Sequence, residues 1–167
     1  EELTAKELAE VRHQEFHDAA LVLNISDTKT LRHPDGKVEE YETELLIEMS
    51  TILAELKPDL IMSFGPDGIT GHKDHISVSR VAAKIARQYN LLLAVFCIPS
   101  QVSDEAQTWL KKRRKTTGHY EDDCVSQQRE NVSIPIDGEI KLKALKCYAS
   151  QIDNQDPFHG FPEAISE

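Results

Sequence analysis

The apolar residues in the first third of the chain fall into helical stripes. Spacings of three and four residues predict one helix from about Thr4 to Leu23 and a second from about Glu39 to Leu56. The pair Lys57-Pro58 is expected to end the second helix, because proline disfavours a helical backbone in the residue before it. Weaker patterns near the other end of the chain predict a short strand over Val132–Ile136 and a last helix over Glu139–Ile152.

Two short apolar runs interrupt the helical pattern and predict buried parallel strands. Pro58–Phe64 is bounded by proline and by Gly-Pro, and Leu91–Ile98 is apolar throughout and is closed by a proline. Between them, apolar residues recur at helical spacing from Ile76 until Asn90, which is a typical helix end. The order helix, helix, strand, helix, strand predicts an α/β fold. Two strands are few for such a sheet, so we expect that a part of it precedes the first residue.

The composition of the chain is that of one globular domain over residues 1–167, with 40% hydrophobic residues. The 29 acidic residues outnumber the 19 basic ones and give a net charge of -10, which argues against a nucleic-acid binder. No apolar run approaches the ~20 residues of a membrane span, and no signal peptide is visible. The cysteines have no C-x-x-C spacing, which favours reduced thiols, so we expect a cytoplasmic protein.

The segment Gly65–His75 carries the clearest chemical signal in the sequence. It places His72, Asp74 and His75 close together, at the junction between a predicted strand and a predicted helix. In open α/β sheets, ligands bind in the crevice outside the carboxyl ends of the strands. Neutral imidazole is the commonest metal ligand in proteins, and a second imidazole can act as a general acid or as an oxyanion partner. In the alternative interpretation, Asp74 only caps the helix and both histidines are solvated loop residues.

This segment resembles the G-H-x-D-H signature of the LmbE-like (PIG-L) N-deacetylases, which follows a strand of the type P-D-x-x-x-x-x-x-P-D. Three other segments agree with that family in order and spacing. Arg12 to Glu15 is similar to its R-x-x-E helix, His33-Pro34-Asp35-Gly36 to its D-G loop, and Lys143–Gln151 to its late helix. The resemblance covers nearly the whole chain, and it implies a Rossmann-like, mostly parallel sheet flanked by helices.

The resemblance implies zinc-dependent hydrolysis of the N-acetyl group of an N-acetylglucosamine-type sugar or its conjugate. It makes His75 the metal ligand and His72 the group that stabilises or protonates the tetrahedral intermediate, with Asp74 orienting an imidazole. Iron is a second candidate metal, because two histidines and a carboxylate bind either ion. The expected partners are a small amino-sugar substrate and, in a homo-oligomer, further copies of the chain. Neither nucleic acid nor a membrane span is expected.

The resemblance also implies substrate contacts from the first helix and the D-G loop. It places Arg12 and Asp35 near the sugar and lets Glu15 fix Arg12. The alternative for Arg12 and Glu15 is a surface ion pair worth roughly a few tenths of a kcal/mol. His13 and His17 share a helix face four residues apart. They are interpreted as surface residues, because the glutamate of an H-E-x-x-H site is absent.

The chain departs from the family at the first family signature. That signature, H-P-D-D-E, supplies one histidine ligand, one aspartate ligand and the general base, and no such segment precedes Glu1. His33-Pro34-Asp35-Gly36 is a weak substitute, because it lacks the second aspartate and follows no apolar strand. We therefore expect a fragment of a longer enzyme, incomplete at its N-terminus and inactive alone. The alternative is a non-catalytic sugar-binding or assembly domain with a degenerate metal site.

Overall fold

The structure is a computed structural model that describes residues 3–99, 104, 108 and 130–152. These residues form two compact units: one runs up to Thr30 and resumes at Ser133, and the other runs from Leu31 to Val132. The single domain predicted over residues 1–167 stays a prediction. No helix among the described residues is long and apolar enough to cross a membrane. In chain order, the elements are α1 (Ala5–Val22), a 3₁₀ turn (Val38–Tyr41), α2 (Glu42–Leu56), β1 (Leu60–Phe64), α3 (Gly68–Gly71), α4 (Lys73–Tyr89), β2 (Leu92–Phe96), α5 (Gly138–Lys146) and a second 3₁₀ turn (Ala149–Gln151).

The first unit contains the helices α1 and α5, and each begins with a side-chain cap. Thr4 Oγ1 accepts the Glu7 N–H at 3.3 Å, and the Glu7 carboxylate accepts the Thr4 N–H at 2.8 Å, which completes a capping box. The Asp137 carboxylate accepts two backbone N–H groups in the first turn of α5. The two helices pack together and bury small side chains, including Ala19 and Ala144.

The second unit contains a strand, helix, strand arrangement. Strands β1 and β2 pair in parallel, with Leu60 opposite Leu92. Helix α4 connects the two strands and packs against both, which confirms the predicted α/β fold. The apolar stripe of α4 also packs on α2, and the buried side chains of this core are Leu45, Leu53, Val81 and Ile85. The N-terminal end of α4 therefore lies next to the carboxyl end of β1.

Most of the predicted helices are confirmed with small shifts. The predicted second helix starts as a 3₁₀ turn and becomes α-helical at Glu42, and it ends at Leu56 as predicted. Helix α4 ends at Tyr89, and its C-cap residue Asn90, the predicted helix end, adopts a left-handed φ of 54°. The predicted last helix is shorter than expected, because its α-helical part stops at Lys146 and is followed by the second 3₁₀ turn instead of continuing to Ile152.

The two strands are less buried than predicted. Leu92 is 71% exposed and Met62 is 53% exposed, whereas Ser63 is buried. Successive side chains of a strand point to opposite faces of the sheet, and a parallel strand is fully buried only when both faces are covered. In the described part of this unit, α4 covers one face. The prediction of buried strands was therefore right about the strands and wrong about their burial.

The strand predicted over Val132–Ile136 is wrong. Residues 132–137 are irregular, and the side chains of Val132, Ile134 and Ile136 are each at least two-thirds exposed. Pro135 lacks the backbone N–H that a strand donates to its neighbour, so proline within such a run disfavours a paired strand. The alternation of apolar residues in this segment is not a strand signal without a partner strand.

Candidate active site

The loop between β1 and α4 is held by tight turns. Asp67 caps the short helix α3, where its Oδ1 accepts the Ile69 N–H at 2.8 Å. Gly68 has a φ of 65°, which glycine adopts readily, but Ile69 also has a φ of 66°. That conformation is costly for a β-branched residue, and such strain is concentrated at binding sites and active sites in proteins. The loop thus follows a constrained path directly before His72.

His72 is the N-cap residue of α4. Its Nδ1 accepts a hydrogen bond from the backbone N–H of Asp74 at 3.2 Å. A neutral imidazole carries one hydrogen, so the hydrogen of His72 lies on Nε2 when Nδ1 is an acceptor. His72 can therefore donate from Nε2, which is what stabilisation of an oxyanion requires. The alternative in which Asp74 is the capping side chain is wrong, because His72 fills that position.

His75 lies in the first turn of α4, with its ring stacked on Phe64 at 3.9 Å between centroids. Its Nδ1 is 3.1 Å from the carbonyl oxygen of Gly68. A carbonyl only accepts, so Nδ1 carries the hydrogen and Nε2 presents a lone pair. Burial lowers the pKa of His75, and this outweighs the Gly68 carbonyl, which raises it. A neutral ring whose second nitrogen is held by a carbonyl is the form that binds a metal.

The Asp74 side chain is buried and contacts the D-G loop. Its Oδ2 accepts the Gly36 N–H at 2.6 Å, and its Oδ1 accepts the Val38 N–H at 3.1 Å. The backbone N–H of Asp74 donates to the Nδ1 of His72, while its carboxylate accepts from the D-G loop. The predicted role of Asp74 in orienting an imidazole thus stays a prediction. In the structure, its carboxylate attaches the loop that carries Asp35 to the start of α4.

Asp35, His72 and Asp74 each bring a potential metal-ligand atom to within 4.8 Å of the others. This group omits His75, the ligand implied by the sequence. Two of the three members are engaged, because Asp74 accepts two N–H groups and the Nδ1 of His72 accepts another. The Nε2 of His75 presents the lone pair that a metal ligand requires, so His75 stays the ligand predicted from the sequence. Imidazole and carboxylate donors suit zinc or iron, so the described residues fit part of such a site.

Asp67 is a further carboxylate at this loop, and it is not among the site residues predicted from the sequence. Its Oδ2 is buried and has no hydrogen-bond partner among the described residues. Buried carboxylate oxygens normally have a partner, so this oxygen is a candidate contact for a ligand. Asp67 could have been identified from the sequence, because Pro66-Asp67 is the second P-D pair of the family strand pattern.

A cavity of about 410 Å³ lies beside Asp35 and Asp74. Its walls are largely apolar side chains of the core, among them Met49, Ile61 and Ile85, and neither His72 nor His75 lines it. Four polar residues, His33, Asp35, Ser63 and Asp74, also line it, but both imidazoles of the candidate site lie outside its lining. We therefore do not assign this cavity as the sugar site.

The other two predicted substrate-binding residues, Arg12 and Glu15, lie on α1 in the first unit. Arg12 is exposed, whereas Glu15 is buried. The Glu15 carboxylate accepts the Ser150 N–H at 2.6 Å and the Ser150 hydroxyl at 2.7 Å. Glu15 therefore fixes the second 3₁₀ turn against α1, and no ion pair joins it to Arg12 among the described residues. Their roles in substrate binding stay predictions.

The N-terminal part of the chain matches a known protein family. Residues 1–86 match the family model described as PIG-L, GlcNAc-PI de-N-acetylase. The match covers 86 of the 167 residues, and it includes the D-G loop and the segment from Gly65 to His75. This chain belongs to the PIG-L family. The family resemblance inferred from the G-H-x-D-H segment is thereby confirmed.

Similar proteins include two deacetylases from species of Corynebacterium. The chain is 34% identical over 67 residues to the 1D-myo-inositol 2-acetamido-2-deoxy-alpha-D-glucopyranoside deacetylase of Corynebacterium urealyticum. The matched residues cover 38% of this chain and 20% of that protein. It is 42% identical over 48 residues to the protein of the same name in Corynebacterium glutamicum strain R. That match covers 29% of this chain and 17% of that protein. The chain thus matches about a fifth of the length of these relatives. No solved structure matches it significantly.

Gly68→Ala should weaken the candidate site. A Cβ at Gly68 would lie 3.0 Å from the Ile76 side chain and 3.1 Å from the His75 Cβ, at a φ of 65° that alanine adopts only with strain. We expect the free energy of unfolding to fall by about 1–3 kcal/mol. Because the Gly68 carbonyl holds His75, we also expect metal affinity to fall about 10–100-fold. Urea unfolding and metal titration would measure the two effects.

Gly138→Ala is the matched control for this substitution. Nothing lies within 4 Å of a Cβ at Gly138, which is in the first turn of α5. Alanine favours helix over glycine, so this variant should be unchanged or slightly more stable. Equal effects of the two substitutions would show that the turn at Gly68 does not support His75.

Proposed function

We propose that the intact protein removes the N-acetyl group from an N-acetylglucosamine-type sugar or its conjugate, with a bound zinc ion. The observation that carries this proposal is the opposite hydrogen-bonding of the two imidazoles at the start of α4. His75 donates from Nδ1 and presents a lone pair, whereas His72 accepts at Nδ1 and presents an N–H. One ring is thus prepared as a metal ligand and the other as a hydrogen-bond donor, as amide hydrolysis requires.

His75, His72 and Asp35 would have separate roles in this reaction. His75 would hold the zinc through Nε2, together with carboxylate ligands. When bound, zinc polarises an amide carbonyl and lowers the pKa of water. The Nε2–H of His72 would donate a hydrogen bond to the oxygen of the tetrahedral intermediate, and the leaving amine would take up the proton that the attacking water gives up. Asp35 is exposed on the D-G loop and would accept hydrogen bonds from sugar hydroxyls.

The metal, the location and the substrate are parts of the same proposal. Zinc is favoured, and iron is the second candidate because the same donors bind it. The proposed location is the cytoplasm, because the spacing of the cysteines favours reduced thiols. The related deacetylases carry names that specify an inositol conjugate of N-acetylglucosamine. We therefore propose an amino-sugar conjugate of this class as the first substrate to test.

The test is release of acetate by the intact, metal-loaded protein. We expect acetate and a free amine to appear in equal amounts from the inositol conjugate, the activity to disappear after treatment with a chelator, and zinc to restore it. A metal-loaded protein that releases no acetate from this conjugate or from simpler N-acetylglucosamine glycosides would refute the proposal. If such a protein still bound the sugars in calorimetry, the non-catalytic alternative would be supported.

A further inference from the structure

His13 and His17 on α1 face each other at close range. They are four residues apart on one face of the helix, and their Nε2 atoms are 3.3 Å apart. The ring centroids are 4.5 Å apart with the rings nearly perpendicular, at 88°. The nitrogens are thus closer than the ring centres, so the rings present their nitrogen edges to each other.

The opposite nitrogen of each ring is held by a threonine hydroxyl. Thr30 Oγ1 is 3.2 Å from the Nδ1 of His13, and Thr28 Oγ1 is 3.0 Å from the Nδ1 of His17. Both threonines follow α1 in the same unit. When the hydroxyls accept, both Nδ1 atoms carry hydrogens and both lone pairs lie on the Nε2 atoms. Histidines that bind metals are commonly held in this way by a second hydrogen bond.

Two facing lone pairs need a hydrogen or a cation between them. Zinc–nitrogen bonds are about 2.0–2.1 Å long, so two nitrogens at this separation would meet the ion at an angle of roughly 107°, close to a tetrahedral angle. Known zinc-binding helices also carry two histidines four residues apart on one face. The measured separation of the two Nε2 atoms is thus the separation that a chelated metal ion requires.

We propose that His13 and His17 form a second metal site, which chelates a divalent transition-metal ion through both Nε2 atoms. Its two histidines and their threonine partners lie in the first unit, and none of them is among the residues assigned to deacetylation. Both rings are half-buried, so water can complete the coordination. The described residues place no third protein ligand with them. Two imidazoles should bind Cu²⁺ most tightly, followed by Ni²⁺ or Zn²⁺.

The test is a Cu²⁺ titration of the full protein, followed by electron paramagnetic resonance. It is performed on a His75→Ala background, which removes the proposed ligand of the active site. We expect one Cu²⁺ ion with nitrogen couplings from two imidazoles. Adding His17→Ala should lower the affinity at least about tenfold and leave couplings from one imidazole. Adding His33→Ala should change neither, since the His33 Nε2 is engaged with Glu48 at 2.8 Å.

Further variants separate metal binding from folding. Thr28→Val with Thr30→Val keeps both rings but removes their hydroxyl partners, and it should weaken Cu²⁺ binding while the circular dichroism spectrum is unchanged. A two-imidazole spectrum that persists in the His13→Ala/His17→Ala variant would overturn the proposal. So would the absence of a stoichiometric ion from the folded protein with both histidines intact. Neither result depends on acetate release, so this proposal and the proposed function can fail separately.

Discussion

His75→Ala in the intact protein should lower kcat/KM for acetate release by at least about 100-fold. Loss of a hydrogen-bond partner of a metal ligand already lowers metal affinity or activity by about 10–100-fold, and this variant loses the ligand itself. Alanine removes the Nε2 lone pair that we assign to zinc. The zinc content of the purified protein should fall in parallel. Metal analysis and initial-rate kinetics with added zinc would measure both effects. At saturating zinc the rate should recover only in part, since the ion would lack its imidazole ligand.

Lys73→Ala is the matched control for His75→Ala. Lys73 is exposed in the same helical turn, and no hydrogen bond or ion pair with another described residue engages its side chain. Zinc content and kcat/KM should therefore match those of the unsubstituted protein. Loss of His75 also removes a ring that stacks on Phe64, so thermal unfolding must show that the variant is folded. A folded His75→Ala protein with full zinc content and normal turnover would exclude His75 as the ligand.

Asp74→Asn should be the most destabilising polar substitution near the site. Asparagine keeps the size of the side chain, but it replaces one acceptor oxygen by an NH₂ group. That group would face a backbone N–H of either Gly36 or Val38 in a buried position. Hydrogen bonds to charged groups contribute about 1.5–3 kcal/mol, and we expect the free energy of unfolding to fall by about that amount. Urea unfolding would measure the change.

Asp35→Asn is the control for Asp74→Asn, because it makes the same chemical change on the same loop at an exposed position. Its unfolding free energy should stay within about 0.5 kcal/mol of the original value. Hydrogen exchange adds a local measurement, since the amides of Gly36 and Val38 should exchange faster only in Asp74→Asn. Equal stability of the two variants would show that the Asp74 carboxylate does not anchor the loop.

The helices and strands could be predicted from the sequence because their signals are local. The apolar stripe of α4, the proline after α2 and the short run of β1 each lie within the element that they define. Burial of the strands could not be predicted in the same way, because it depends on which other elements cover each face of the sheet. The exposed Val132–Ile136 segment shows the same limit, since an alternating pattern forms a strand only where a partner is available.

The candidate site was predicted in its residue types but not in its contacts. The G-H-x-D-H segment identified His72, Asp74 and His75. Nothing within it indicates that Asp74 binds backbone groups 36 and 38 residues earlier in the chain. Only the alternative interpretation gave Asp74 the capping role, which is one that aspartate commonly fills and histidine does not. The loop geometry instead places the His72 Nδ1 within hydrogen-bond distance of the Asp74 N–H.

The attachment of the D-G loop to α4 has a consequence for ligand binding. One carboxylate links the loop that carries Asp35 to the helical turn that carries His75. A sugar that shifts the loop therefore also shifts the first turn of the helix, and a metal that fixes the turn restrains the loop. Under the proposed function, thermodynamic linkage then requires reciprocity: zinc should tighten sugar binding by the same factor by which the sugar tightens zinc binding.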